Sequence, residues 1–265
     1  MRITALIDDV AAAGYEAEHG LSLYIECGKE KIVFDFGASA AFMRNAAISG
    51  ADISAADYAI LSHDHYDHGG GLESFFAANP KAEVYAAQEI FGERYSRGGR
   101  KYAGLDRRLK ERFRDRFVYV GESVKPGENA EIVSLRKEDI HYPVRGEGLC
   151  TLTASGLVRD DFEHERYLML REGEKLVLVS GCSHKGILNI VNKFRPDVVV
   201  GGFHINGEAD DEEGNARITR LAEALEATGA AYYTGHCTGM RAYGLMKEIM
   251  ASRLTYLAAG DTVTI

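Results

Sequence analysis

Three imidazoles and two carboxylates fall within six consecutive positions, His63-Asp64-His65-Tyr66-Asp67-His68, and Gly69-Gly70-Gly71 follow directly. Groups of these types crowded on one turn would repel one another or stay unsatisfied unless a cation joined them. A bound metal is therefore the chemistry that the pattern points to. Imidazole with carboxylate suits Zn²⁺, Fe or Mn better than Ca²⁺ or Mg²⁺, which prefer all-oxygen shells. An expression tag or a solvated loop would also be rich in histidine. Tags are terminal and uniform, however, whereas this run follows the apolar stretch DYAILS and precedes glycines that let the backbone turn tightly. Three later apolar stretches also end in histidine: KLVLVSGCSH at His184, DVVVGGFH at His204 and AAYYTGH at His236.

The elements that must position these groups follow from residue patterning. Residues 2–8, 21–26 and 31–37 read as early strands, and 57–65 as a buried strand running into the histidine turn. Such strand-to-loop junctions are where sites are usually built. A helical stretch is expected over 40–48. LESFFAANP reads as a helix stopped by Pro80, and AEVYAAQ as a strand. YLMLRE and KLVLVSG read as an antiparallel pair, ILNIVNKF as a helix, DVVVGGF as a strand, ITRLAEALEATG as an amphipathic helix and AAYYTG as a strand. The alternation gives an α/β class. Without low-complexity segments or a Pro/Ser-rich linker, residues 1–265 read as a single domain. One segment differs: 92–116 carries Arg94, Arg97, Arg100, Lys101, Arg107, Arg108, Lys110, Arg112, Arg114 and Arg116 and is the only strongly basic zone.

The H-x-H-x-D-H run after an apolar strand resembles the signature of the metallo-β-lactamase superfamily. The likeness extends to His19-Gly20-Leu21-Ser22 and to Ile32-Val33-Phe34-Asp35-Phe36-Gly37. Gly181-Cys182-Ser183-His184-Lys185-Gly186-Ile187, Gly201-Gly202-Phe203-His204 and Thr234-Gly235-His236-Cys237-Thr238-Gly239 are similar to a narrower branch. That branch contains dihydropterin–ribofuranosylaminobenzene-phosphate synthases of methanopterin biosynthesis. The resemblance implies a four-layer αβ/βα sandwich with two mixed sheets face to face and two metal ions in a cleft at one sheet edge. Zinc is favoured, with iron or manganese as alternatives.

By the same resemblance His63, His65 and His184 would serve one ion, and Asp67, His68 and His236 the other. The superfamily's usual bridging aspartate is missing, and Cys182 or Ser183 stands in its place. A Cys182 thiolate would favour zinc, but a small cysteine packed under the loop is the reading preferred here. Cys182, Ser183 and Asp35 are expected behind the ligands, where such groups fix tautomers. His19 is expected beside them or in the substrate pocket. His204 is expected to contact substrate or donate a proton, against the alternative of a hydrogen-bonded core histidine. Asp67 would steady the nucleophile. Glu163 and Glu165 place His164 on an exposed turn, and His141 carries no role.

The expected reaction is hydrolysis of an ester or phosphoester by metal-activated hydroxide. Arg97, Arg100 and Lys101, near three glycines, offer a way to hold an anionic, phosphorylated part of a small substrate, with Arg100 and Lys101 as the expected contacts, whereas RRLKERFRDRF reads rather as a salt-bridged, solvated helix. The branch likeness supplies the competing synthase reading. Diiron redox chemistry and a non-catalytic metal-responsive module are further alternatives, and His65 argues against the first, because diiron relatives tend to carry a carboxylate there.

Bulk properties agree with a small substrate. The 265 residues are 46% hydrophobic, enough for a large core, and the formal charge of -9 disfavours nucleic acid, whose binding needs a basic surface. Four cysteines without a C-x-x-C pair fit neither a zinc ribbon nor a disulfide framework, and a reducing cytoplasm suits them. MRITALIDDV reaches acidic residues too early for a signal-peptide core, and no apolar run approaches the roughly 18 residues of a membrane span.

Overall fold

Strand Tyr58–Ile60 is buried at all of its positions, because it lies between the parallel neighbours Glu30–Phe34 and Glu83–Ala87 and is covered on both faces. A computed structural model describes residues 1–144, 146 and 148–265 of the chain. In it, this strand is the fifth of seven in a sheet ordered Thr262–Thr264, Arg2–Ile7, Ser22–Cys27, Glu30–Phe34, Tyr58–Ile60, Glu83–Ala87, Phe117–Val120. A second seven-stranded sheet runs Leu254–Tyr256, Ala231–Thr234, Val198–Val200, Lys175–Val179, Tyr167–Glu172, Ala130–Val133, Ser123–Val124. Each sheet is antiparallel on one side and parallel on the other.

Alternation along the strands builds four layers. Val177, Val179, Val198 and Val200 join Ile3, Ile25, Ile32, Phe34 and Ile60 in a core between the two sheets. Leu178 and Val199 point the other way, onto a core with Ile190, Ile218, Leu225 and Met246 from helices Ile187–Phe194, Glu212–Glu226 and Met240–Met250. On the outer face of the first sheet, Val33, Ala59 and Val84 pack with Phe42, Phe75 and Phe76 of helices Ala41–Ser49 and Leu72–Ala78. This is the αβ/βα sandwich expected from the sequence. Among the described residues no helix is long and apolar enough to cross a membrane.

The parallel registers bring the site together. Phe34 pairs with Ile60, and Val179, Val200 and Tyr233 stand side by side in the other sheet. The chains leaving these residues therefore emerge at one edge, the carboxyl ends of the parallel strands. Asp35, His63, His184, His204 and His236 all lie within five residues of such an end.

Within RRLKERFRDRF, expected as a salt-bridged, solvated helix, only Arg108–Arg112 is α-helical, and the exposed Arg108 and Arg112 pair with Asp106 and Glu73. The rest of segment 92–116 is built differently: strands Arg94–Ser96 and Lys101–Tyr102 pair with the hairpin Cys150–Thr153/Gly156–Arg159 in a separate four-stranded sheet. Arg94 is buried against Asp64 and Asp160, and Arg116 stacks on Phe76. Partners made within the fold, acidic for Arg94 and an aromatic ring with backbone carbonyls for Arg116, place these two cations.

The histidine turn is packed backbone to backbone. A Cβ on Gly71 would collide with the carbonyl oxygens of Phe36 and Ser39. Gly71→Ala should lower unfolding free energy by about 1–3 kcal/mol. Gly244→Ala, inside helix Met240–Met250 with open space around it, should raise it by about 0.5–1 kcal/mol. Urea denaturation of both variants checks this, and a Gly71→Ala protein as stable as wild type would contradict the close approach.

Candidate metal centre

Asp35 follows strand Glu30–Phe34 in the left-handed region, φ 58°, and is wholly buried. Its Oδ1 accepts from the Ser62 amide at 2.7 Å, and its Oδ2 accepts from the Ser62 hydroxyl at 2.6 Å and from His68 Nδ1 at 2.7 Å. With its proton given to Asp35, the Ser62 oxygen accepts from His63 Nδ1 at 2.8 Å. One carboxylate thus holds both rings as Nδ1–H tautomers. Their Nε2 lone pairs are left free, that of His63 toward His184 Nε2 and that of His68 toward Cys182 Sγ, the form that a metal requires.

Around these rings the fold gathers the others. The ring centroid of His65 is 4.6 Å from that of His63 and 5.0 Å from that of His184, and the His63 and His184 Nε2 atoms are 3.2 Å apart. Glu165 positions the His184 loop, accepting from the backbone amides of His184 at 2.6 Å and Lys185 at 3.0 Å, while Phe162 stacks on the His184 ring at 4.5 Å. Burial, reinforced by the neighbouring imidazoles, pushes His63 and His184 well below the ordinary histidine pKa, and burial with His164 nearby brings His65 down to about 4. These rings are neutral at physiological pH and so are available as ligands.

A second set forms on the other side of His68. The Nε2 atoms of His236 and His19 lie 3.5 and 3.4 Å from Asp67 Oδ2. Asp9 accepts from Nδ1 of both rings, at 2.7 Å from His236 and 2.8 Å from His19. Asp8 accepts the His236 amide at 2.5 Å, which fixes that residue at φ 46°, and burial raises the Asp8 carboxyl to about 6. Burial alone would raise Asp67 too, but the hydrogen bond from His236 holds it below the carboxylate range. Its carboxylate is ionised. Although burial disfavours the His236 cation, Asp67 and Asp9 outweigh that and raise His236 well above the ordinary histidine value.

Cys182 lies between the two sets. Its Sγ is 3.1 Å from His68 Nε2 and falls within 4.8 Å of donor atoms of His63 and His184 on one side and of His68 and His236 on the other. It is buried as expected, and its sulfur also faces imidazole nitrogens. Ser183 does not join it, since its hydroxyl pairs with Ser180 at 2.8 Å. His204 stands beside His184, ring centroids 4.2 Å apart, and its Nδ1 is buried with no hydrogen-bond partner among the described residues. Buried imidazoles, an ionised carboxylate and a thiol form a donor set that fits d-block divalent ions.

His164 corrects the sequence reading. It is wholly buried, with Nδ1 2.7 Å from Asp64 Oδ1 and Nε2 3.3 Å from Asp160 Oδ1. Glu165, expected on the same exposed turn, is buried beneath the His184 loop. Burial disfavours the His164 cation, but Asp64 and Asp160 outweigh that and raise it to about 9. Asp64 also binds Arg94 Nε at 3.0 Å and the Gly92 amide at 2.9 Å, tying the histidine turn to the basic segment. The sequence assigns no positioning role to Asp8, Asp9, Asp64 or Glu165; Asp64 stands inside the histidine run, and Asp8-Asp9 is an acidic pair just after an apolar strand.

Above the donors is a cleft of about 160 Å³ lined by His19, His65, Asp67, Cys182, His204 and His236, with Ser96, Arg97 and Lys101 from the basic segment. Lys101 lies 4.8 Å above the Tyr66 ring. Arg100 is exposed and does not line the cleft, whereas Arg97 does. A larger, mainly apolar cavity of about 350 Å³ shares His184 and His204 with it and is lined by Ile187, Phe203, Ile205 and Leu221, with Arg220.

Comparison with known proteins gives a consistent result. The family model of the metallo-β-lactamase superfamily matches residues 16–158. The chain is 30% identical to the 7,8-dihydropterin-6-methyl-4-(β-D-ribofuranosyl)-aminobenzene-5′-phosphate synthase of Methanocaldococcus jannaschii, covering 99% of this chain and 96% of that protein. It is 26% identical to an uncharacterised protein of the same organism, over 93% of this chain and 94% of the other. A solved structure of a metal-dependent hydrolase of the β-lactamase superfamily superposes with a TM-score of 0.84 at 31% identity, covering 100% of this chain and 99% of that one.

Two outcomes follow from this geometry. Replacing Asp35 by Ala frees both tautomers and should weaken metal binding by about 10–100-fold, read by competition with a chromophoric chelator; unchanged affinity would refute the orienting role. Raised from an unfolded value near 6.5 to about 9, His164 contributes stability that is complete below pH 6.5 and lost as pH rises through 9. The stability advantage of wild type over His164→Gln should therefore shrink by on the order of 3 kcal/mol across that window, and a pH-independent difference would contradict the buried imidazolium.

Proposed function

The chain belongs to the metallo-β-lactamase superfamily, and from that premise we propose that it is a metal-dependent hydrolase of a small, anionic phosphoester, with zinc as its metal. The observation that supports this most directly is the pair of adjoining donor sets beneath one cleft whose rim carries Arg97 and Lys101. In this reading His63, His65 and His184 hold one ion, and Asp67, His68 and His236 hold the other. Bound there, the ions would supply Lewis acidity toward a phosphoryl oxygen and lower the pKa of a water toward neutrality.

The protein's own groups do the remainder. Arg97 and Lys101 attract the phosphoryl charge, and the apolar cavity beyond His184 and His204 has room for the organic body of the substrate. Asp9 and Asp35 keep ring protons away from the cleft by accepting them at Nδ1. The ionised Asp67 carboxylate accepts a hydrogen bond from the attacking water. His204, which lines both the cleft and the cavity, is the proton donor to the leaving oxygen.

A second reading is a dihydropterin–ribofuranosylaminobenzene-phosphate synthase, favoured by the 30% identity to the protein of that name along nearly the whole chain. The apolar cavity would then hold a flat ring system. The deciding experiment is metal analysis of protein purified without added metal, combined with phosphoester, carboxylic ester and dihydropterin condensation assays and repeated on His65→Ala. Two zinc ions per chain and phosphoester turnover are expected, with turnover at least about 100-fold lower in the variant. Condensation without phosphoester turnover would install the synthase instead, and unchanged metal content and activity in His65→Ala would sink both.

A further inference from the structure

We propose that the Cys182 sulfur is an anionic ligand shared by the two metal ions, an inference that rests on the two-ion reading above. Cys182 is the one donor common to the His63/His184 and His68/His236 groups, which otherwise share no residue. A single atom within reach of both sets is what a bridging ligand requires. Its residue sits on the turn after strand Lys175–Val179, two positions before His184, and is only 3% exposed.

Three further observations support a ligand over a packing role. His68 gives its Nδ1 proton to Asp35, so its Nε2 presents a lone pair to Cys182 Sγ at 3.1 Å. A thiol can donate weakly to that lone pair, and binding of metal exchanges the S–H bond for sulfur–metal bonds and releases one proton. Charge balance points the same way. The proposed ligands offer five imidazoles and one carboxylate, Asp67, against two divalent cations, and a thiolate adds the second anionic donor. Close packing also fixes the turn that carries Cys182: side chains at Gly181 and Gly202 would strike Ser62 Oγ and Cys237 Sγ. The neighbouring Cys237 accepts the His204 amide at 3.2 Å, lies 3.7 Å from the Cys182 carbonyl oxygen and groups with Cys182 and His204, but among the described residues it shares no donor group with the other histidines. A soft sulfur at the shared position would tilt selection toward zinc and away from manganese.

Titrating metal-free protein with Co²⁺ and following its absorption tests this without an activity measurement. A near-ultraviolet sulfur-to-cobalt charge-transfer band should grow through both the first and the second equivalent. It should persist in Cys237→Ala and vanish in Cys182→Asp, which should still bind two ions. Two cobalt ions bound to wild type with no such band would overturn the thiolate ligand while leaving the two-ion reading intact. A band complete after one equivalent would overturn the sharing. A wild-type protein that binds no second cobalt would remove the two-ion reading and the shared ligand together. Because the decisive spectra are those of the wild type, a variant that failed to fold would not shield the proposal.

Discussion

The carboxylate of Asp35 is the interaction on which the rest of the site depends. It is wholly buried, yet it is compensated by the Ser62 amide, the Ser62 hydroxyl and His68 Nδ1. Three charge-assisted hydrogen bonds to one group in a dry interior are strong, and losing their acceptor would leave buried donors unpaired. The same contacts join the ends of two adjacent parallel strands and set the tautomers of two rings. Fold stability and metal-ready chemistry therefore meet in one side chain.

The pattern repeats outward. Asp9 stands behind His236 and His19, Asp8 holds the His236 backbone, and Glu165 holds the amides of His184 and Lys185. Each carboxylate is neutralised by donors from a different strand end, so the turns are fixed relative to one another rather than singly. Asp64 extends the arrangement away from the cleft. Its pairing with His164 and Arg94 anchors the small four-stranded sheet and thereby the segment that brings Arg97 and Lys101 to the rim.

That division explains why one run of sequence holds so many titratable groups without mutual repulsion. His63 and His65 are neutral because they are buried among other rings, whereas His164 is cationic between two carboxylates. Imidazoles of one residue type thus serve as lone-pair donors or as structural cations, according to what lies behind each ring. The cleft is consequently rich in lone pairs at its floor and cationic at its rim, an arrangement suited to drawing in an anion.

The sequence by itself determined the α/β alternation, the strand-end placement of His63, His184, His204 and His236, and, through its likeness to a known superfamily, the αβ/βα sandwich. These were legible because strand periodicity and a dense H-x-H-x-D-H run are local properties. Tertiary structure alone decided that His164 and Glu165 are buried, that Arg94 is consumed by Asp64 while Arg97 reaches the cleft and Arg100 does not, and that Asp8 and Asp9 stand behind His236. It also made the buried Cys182 thiol a member of both donor sets. Each of these depends on groups that are up to about 230 positions apart along the chain, as are Asp8 and His236 with |i−j| of 228. Local patterning cannot carry such information, because the register of parallel strands across two sheets decides which ends become neighbours.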